Sequence, residues 1–194
     1  MDGLLDYPLY YALQDAFIWR KPLSVLRDSY ISNKLAFRDL STLGVFLDNH
    51  DVERVLNQMS KLSPDESKAT LLNMLTYLYM SYGIPILYYG TEALFTGGKD
   101  PENREWFAPL NSHKASLDQT IIYYINTLNS VRREHRTYDL EPDWRLTNQA
   151  VLAFTKGDSI LAVISNDQKE TAHRVLSLTN HPFKAGDKLC NAFA

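Results

Sequence analysis

The sequence has little of what marks disulfide-linked, nucleic-acid-binding or membrane-spanning proteins. Its 194 residues include one cysteine, Cys190, so no disulfide can form within the chain. Lys and Arg number 20 against 23 Asp and Glu, and the formal net charge of -3 argues against a nucleic-acid partner. The longest apolar stretch, residues 71–89, is broken by Gly83 and Pro85, so we expect no membrane span. The first residues are acidic where a signal peptide would be basic, so we expect no signal peptide in this chain, and its localisation stays open.

The composition is that of a globular protein, with 45% hydrophobic and 22% charged residues. The first 137 residues alternate short apolar runs with helical patterns, as in a parallel α/β sheet. Ser63 and Ser116 are predicted helix N-caps, because a Glu or Gln follows each of them after three residues. A long loop over residues 90–112 is of the kind that is usually functional. The pattern predicts strands over residues 3–7, 43–47 and 84–89, and helices over residues 9–19, 25–37, 64–81 and 117–136.

The pattern changes after Tyr138. Two β-rich runs, residues 150–155 and 159–165, surround a turn at residues 156–158, and residues 174–178 form a further predicted strand. The sequence therefore predicts an α/β domain over residues 1–137 and an antiparallel β-domain over residues 138–194.

Two polar clusters follow predicted parallel strands. Residues 48–51 (Asp-Asn-His-Asp) come directly after a buried strand, and residues 100–104 (Asp-Pro-Glu-Asn-Arg) lie in the long loop after the next one. Ligands of parallel α/β proteins bind at the carboxyl ends of the strands, which makes both clusters candidate sites. Both clusters also have a purely structural interpretation. The first could cap a helix, and the second could be a solvated ion pair at a turn.

In their sequence contexts, these clusters resemble motifs of the alpha-amylase family of glycoside hydrolases. Residues 46–51 (Phe-Leu-Asp-Asn-His-Asp) closely resemble the motif that ends the family's seventh barrel strand. Residues 83–92, followed by residues 97–104 (Gly-Gly-Lys-Asp-Pro-Glu-Asn-Arg), look like the eighth strand and its loop, and residues 3–8 are similar to the sixth strand. The resemblance implies a partial TIM (β/α)8 barrel, its last three βα units within residues 1–137, followed by a truncated antiparallel β-sandwich domain.

The resemblance also implies a function. It indicates the C-terminal part of a retaining hydrolase whose partner is an α-1,4-glucan such as starch, glycogen or a maltooligosaccharide. Asp51 resembles the carboxylate that stabilises the transition state, and His50, Asp100 and Arg104 resemble residues that bind the substrate. The retaining mechanism also needs a carboxylate nucleophile and a general acid, which in the family follow the fourth and fifth strands. Because the resemblance begins after the fifth strand, we expect this chain to be inactive by itself.

The resemblance assigns no cofactor or metal to this chain, because the family's calcium ligands lie mainly in a domain inserted after the third strand. Calcium and secretion are properties that it implies for the full-length parent. The strands at residues 3–7 and 84–89 would each lack a neighbour, so the N-terminal half of the barrel is a predicted partner. Trp106, beside Arg104, is a candidate stacking surface for a sugar. Two other interpretations stay open: a catalytically dead carbohydrate-binding remnant, and an unrelated small α/β protein in which the clusters are only caps and turns.

Overall fold

A computed structural model of the chain describes residues 3–107, 117–167 and 176–193. A π-helical turn, Gln14–Ile18, continues the first helix, and short 3-10 turns occupy the loops. The elements are the helices α1 (Tyr7–Leu13), α2 (Ser24–Ala36), α3 (Val55–Gln58), α4 (Pro64–Met80) and α5 (Gln119–Glu134), and the strands β1 (Gly44–Phe46), β2 (Ile84–Ile86), β3 (Pro142–Thr147), β4 (Val151–Lys156) and β5 (Ile160–Ser165).

The strands form two sheets. β1 and β2 pair in parallel, with Val45 opposite Pro85, and Leu5 adds a single parallel bridge to Gly44. β3, β4 and β5 form an antiparallel sheet in that order. The predicted strands at residues 43–47 and 84–89 are thus confirmed, although each has three residues, and the two β-rich runs after residue 150 are confirmed as β4 and β5.

The prediction of a strand over residues 3–7 is wrong. Only Leu5 makes a β-bridge, and α1 begins at Tyr7. The reason is local, because the Asp6 carboxylate accepts a hydrogen bond from the backbone N–H of Leu9 at 2.9 Å and so caps the helix. Pro8 lies in the first turn of α1, where its missing N–H costs no hydrogen bond.

Helix ends follow their capping residues. Ser63 and Glu66 form the predicted capping box at the start of α4, and α2 lies within one residue of its predicted bounds. The predicted N-cap of α5 is wrong, because Asp118 accepts from the N–H groups of Thr120 and Ile121, and Ser116 lies outside the described residues.

Two β predictions fail in the second half of the chain. The sequence analysis missed β3, in which the apolar residues Trp144 and Leu146 alternate with charged ones. The strand predicted over residues 174–178 lies partly outside the described residues, and its described part, residues 176–178, is not a strand.

The core is continuous across residue 138. Leu71, Leu75 and Leu78 of α4 are fully buried, and the Tyr77 ring packs edge-on against Phe154 of β4, with the ring centroids 6.1 Å apart. Two cations complete the contact at the C-terminal end of α4. Arg132 donates to the carbonyl oxygens of Tyr79 and Gly83, and Lys156 donates to those of Ser81 and Leu140. Burial lowers the pKa of Lys156 to about 8.

A buried polar network fixes the start of α1 on the adjacent elements. The amide of Asn33 in α2 donates to both oxygens of the Asp6 carboxylate, at 3.0 and 2.8 Å. The Tyr82 hydroxyl donates to the same carboxylate at 2.9 Å. Asp6 is 2% exposed, so these bonds replace the water that the charged group loses on folding. The network therefore fixes the direction of the chain where it leaves the bridge between Leu5 and β1 and enters α1.

Asp6→Ala should lower the free energy of unfolding by about 3 kcal/mol, because it removes a helix cap and leaves the buried Asn33 amide and Tyr82 hydroxyl without their acceptor. Urea unfolding followed by circular dichroism measures the loss. Asp39→Ala is the control, because it removes an exposed cap of the Ser41 N–H and should cost much less stability than Asp6→Ala. Equal losses in the two variants would contradict the role of the buried network.

Candidate functional site

The candidate site lies at the carboxyl ends of β1 and β2. Because the two strands are parallel, the segments that follow them, residues 47–54 and residues 87–107, start at the same edge of the sheet. Both predicted polar clusters lie in these segments. The fold therefore brings them together, as the sequence analysis expected of parallel strands.

His50 and Asp51 present their side chains to solvent. Their side chains are 62% and 58% exposed, and His50 Nε2 lies 3.3 Å from Asp51 Oδ1. The turn that presents them is closed by Asn49, whose Oδ1 accepts from the Asp51 N–H at 2.7 Å. The Asn49 amide also donates to the Tyr7 hydroxyl at 3.3 Å, which ties the turn to α1. An imidazole and a carboxylate are thus held side by side with free hydrogen-bonding capacity towards solvent.

Asp100 and Arg104 form the second half of the site. Arg104 Nε lies 3.4 Å from Asp100 Oδ1, and both side chains are about half exposed. A 3-10 turn, Glu102–Arg104, brings the two residues to the same side of the loop. Arg104 Nη2 also donates to the His50 carbonyl oxygen at 3.4 Å, so the pair lies beside the first cluster. All four predicted site residues therefore share one surface.

A buried residue between the two clusters joins them. Asn103 is fully buried, and its Nδ2 donates to the carbonyl oxygens of His50 and Val52, both at 2.9 Å. One amide thus pairs two backbone acceptors of the turn that presents His50 and Asp51. The sequence analysis missed this role, although Asn103 lies within the motif that it identified.

Arg54 is a second residue that sequence reasoning missed. Its guanidinium is buried between aromatic rings, 3.9 Å from the Tyr88 centroid and 4.7 Å from the Tyr89 centroid. Nη1 donates to the Tyr89 carbonyl oxygen at 2.6 Å, and Nε lies 3.6 Å from Glu105 Oε2. The Arg54 backbone N–H donates to the Gly97 carbonyl oxygen. Arg54 therefore anchors the beginning and the end of the loop after β2 on the segment after β1.

Asp48 lies below the exposed pair and is 4% exposed. Its Oδ2 accepts from the Val55 N–H at 3.0 Å and so holds the start of α3. Burial raises the pKa of Asp48 to about 6, against the opposing effects of the Val55 hydrogen bond and the Arg54 charge. Asp48 is thus a structural carboxyl group, in contrast to the exposed Asp51.

Trp106 is the aromatic residue that the sequence suggests as a stacking surface for a sugar. The Trp106 side chain is exposed at the end of the same loop. Across residues 3–107, 117–167 and 176–193, no cluster of three or more His, Cys, Asp or Glu could hold a metal ion. Over these same ranges, no helix has the length and apolar character needed to cross a membrane.

No protein-family model matches the chain, whereas individual known proteins do. The chain is 38% identical over 137 residues to the beta/alpha-amylase of Paenibacillus polymyxa, an alignment that covers 70% of this chain and 11% of that protein. It is 37% identical over 139 residues to alpha-amylase 1 of Lipomyces kononenkoae, covering 71% and 21% of the two chains. The solved alpha-amylase of Geobacillus thermoleovorans, complexed with acarbose, matches with a TM-score of 0.69 at 30% identity over 80% of this chain and 34% of that one.

Fold and site together define an α/β protein with a polar site at the carboxyl ends of parallel strands. The chain belongs to the alpha-amylase family of glycoside hydrolases. The interpretation as an unrelated small α/β protein is therefore wrong. The alignments span about a tenth and a fifth of the two curated relatives and a third of the solved structure.

Asn103→Ala should lower the free energy of unfolding by about 2 kcal/mol, because the carbonyl groups of His50 and Val52 lose their donor. Hydrogen exchange should become faster at the backbone amides of residues 50–54 and 100–105, where the link is broken. Urea unfolding and exchange mass spectrometry measure the two effects. Asn57→Ala on α3 is the matched control, because it removes one hydrogen bond that the Asn57 amide donates to the Glu53 carboxylate. An exchange pattern identical in the two variants would contradict the linking role of Asn103.

Asp48→Asn should change how stability depends on pH. The raised pKa means that Asp48 contributes stability below pH 3.8, and that this contribution is lost as the pH rises through about 6. The unfolding free energy of the native chain should thus fall by ~3 kcal/mol relative to the variant between those values. Urea unfolding at pH 4 to 7 measures the difference.

Asp39→Asn is the control for the Asp48 measurement, because it should show no pH dependence between pH 4 and 7. The Ser41 hydroxyl and backbone N–H lower the pKa of exposed Asp39 from its usual 3.8, so its stabilising contribution is lost only as the pH falls below that value. A stability difference between the native chain and Asp48→Asn that stays constant across this pH range would contradict the burial of a titrating carboxyl group.

Proposed function

We propose that this chain binds α-1,4-glucans as the C-terminal part of a retaining glycoside hydrolase. Asp51 binds sugar hydroxyls and stabilises the transition state, and His50 donates a hydrogen bond to a neighbouring hydroxyl. Asp100 and Arg104 bind a further glucosyl unit. Starch, glycogen and maltooligosaccharides are the substrates of this class.

The observation that carries the proposal is the common surface of the four side chains. Asn103 and Arg104 both donate to the His50 carbonyl oxygen, so Asp100 and Arg104 are attached to the turn that presents His50 and Asp51. Carboxylates, an imidazole and a guanidinium together offer both acceptors and donors, which suits the paired hydroxyl groups of a sugar ring. The acarbose bound to the Geobacillus thermoleovorans alpha-amylase supports a carbohydrate ligand.

Cleavage of the glycosidic bond needs more than this surface supplies. A retaining hydrolase places a nucleophile and a general acid about 5–5.5 Å apart across the bond. We assign both to the strands of the complete barrel that precede this region, and we expect the chain alone to bind without hydrolysis. The alternative is a catalytically dead carbohydrate-binding remnant, which would bind its ligand with the same four residues.

The remaining strands of the barrel are the protein partner that we propose. Leu4 and Leu5 on one side of the parallel sheet, and Ile84 and Ile86 on β2, expose 40–55% of their surface. Apolar side chains at a two-stranded edge are stabilised by further strands and helices. In this assignment residues 1–137 belong to the barrel and residues 138–194 to the β-domain. Calcium, where the complete protein holds it, is bound by residues outside this region.

Asp51→Ala and Arg104→Ala should each weaken binding of maltoheptaose by about tenfold, because each removes charged hydrogen-bond partners of the sugar. Isothermal titration calorimetry of the full chain measures the affinity, and product analysis by chromatography detects hydrolysis. Asp28→Ala is the matched control, because it removes an equally exposed acid that pairs with Arg27 on α2.

Unchanged affinity in both site variants, or no binding by the native chain, would contradict the glucan site. Release of shorter oligosaccharides by the purified chain would overturn the assignment of nucleophile and acid to other strands. Binding without release, sensitive to Asp51 and Arg104 but not to Asp28, is the expected result.

A further inference from the structure

An open groove extends from the candidate site along the first helix. Its volume is about 610 Å³, which is within the range of ligand sites in proteins. Asp51 and Asp100 of the candidate site line one part of it. Ile18 and Trp19, at the end of the π-helical turn, line another part, so the groove connects the sugar-binding surface to a region that the proposed function does not use.

Trp19 presents an exposed ring on a fixed backbone. The residue is 67% exposed, and its backbone N–H donates to the Gln14 carbonyl oxygen at 3.0 Å. The next residue, Arg20, has a left-handed φ of 53° and is held by hydrogen bonds from its guanidinium to the Asn166 carbonyl oxygen and the Thr70 hydroxyl. The chain on both sides of Trp19 is therefore held in place, while the indole ring is left accessible. An indole on a fixed backbone has only its two side-chain torsions to order when a ligand covers it.

The other lining groups supply polar contacts. Within the described part of the chain, Lys99 makes no ion pair, so its ammonium group is available to a ligand. Gln58 lies at the base, where its amide donates to the Tyr10 hydroxyl and the Glu53 carbonyl oxygen. Three acids, Asp51, Glu53 and Asp100, against one Lys make the lining negative, which disfavours anionic ligands. The lining thus suits a neutral ligand that has both apolar faces and hydroxyl groups.

We propose that this groove is an extension of the glucan site, in which Trp19 stacks on a sugar ring that lies beyond those held at Asp51 and Asp100. The proposal rests on the proposed function, because the occupant is the same neutral glucan chain continued along the groove. The aromatic ring covers the apolar face of the sugar, and Lys99 donates to its hydroxyl groups. Trp106 does not line the groove, so this contact is separate from the stacking surface expected beside Arg104.

The test compares a short and a long ligand. In this proposal, maltotriose occupies only the surface at Asp51 and Asp100, whereas maltoheptaose also reaches Trp19. Trp19→Ala should weaken maltoheptaose binding by about fivefold and leave maltotriose binding unchanged, because the stacking contact is lost only for the longer ligand. Titration calorimetry of the full chain gives the affinities, and circular dichroism checks that the variant keeps its fold. Tyr123→Ala, an exposed aromatic residue on α5, is the control and should change neither affinity.

A loss of affinity by Trp19→Ala that is confined to maltoheptaose supports the extension. Lys99→Ala should also weaken maltoheptaose binding. If the native chain and Trp19→Ala bind maltoheptaose with equal affinity, the extension is overturned. The Asp51 site then still stands if Asp51→Ala loses maltotriose binding. No binding of either sugar by the native chain would overturn the proposed function and the extension together.

Discussion

The candidate site depends on one buried amide. Asn103 donates to two carbonyl groups of the turn at residues 50–52. This buried contact, together with the exposed hydrogen bond from Arg104 to the His50 carbonyl oxygen, joins the two polar clusters. Backbone carbonyl groups are strong acceptors whose partners must be found, so a side chain that pairs two of them fixes the loop in register with the turn. The side chains of His50, Asp51 and Asp100 can then face solvent, because the buried amide holds the loop on the turn, while Arg104 adds one exposed hydrogen bond to the same turn.

A buried cation supports the same arrangement from below. Arg54 lies between Tyr88, Tyr89 and Phe95, and its charge faces Glu105, whose carboxylate accepts from the N–H groups of Thr96 and Gly97. Burying a guanidinium costs several kcal/mol unless the charge is compensated, so the aromatic faces and the carboxylate are required together. The chemistry of the site is therefore divided. Exposed charges face solvent, where a ligand could reach them, and buried charges hold the loop.

Sequence signals predicted those helices and strands whose determinants lie close together in the chain. The Ser63–Glu66 capping box and the apolar run before Asp48 were enough to find α4 and β1, because their determinants lie within a few residues. The resemblance of residues 46–51 and 97–104 to family motifs selected four residues whose side chains are exposed, and their role in binding stays a prediction. The start of α1 was mispredicted even though Asp6 and Pro8 form a helix-start signal, because the apolar residues beside them favoured a strand.

Long-range partners could not be predicted from one sequence. Asn103 pairs with carbonyl groups 51 and 53 residues away, and Lys156 donates to a carbonyl group 75 residues away. An Asn in a polar loop and a Lys at a strand end both look solvated when only their neighbours are considered. Asn103 is buried because its loop packs on the turn after β1, and Lys156 is buried because the end of β4 packs on the C-terminal end of α4. Both contacts are properties of the fold.

The buried network at Asp6 connects the candidate site to the groove along α1. Asp6 caps α1 and is held by Asn33 and Tyr82, so the direction in which α1 leaves the sheet is fixed by α2 and by the segment before β2. The π-helical turn continues α1 and carries Trp19 at its end. The network that caps α1 therefore also sets where the Trp19 backbone lies relative to the turn that presents Asp51. In the proposed extension, the preference for longer ligands follows from this spacing, and the spacing in turn depends on how α1 is capped.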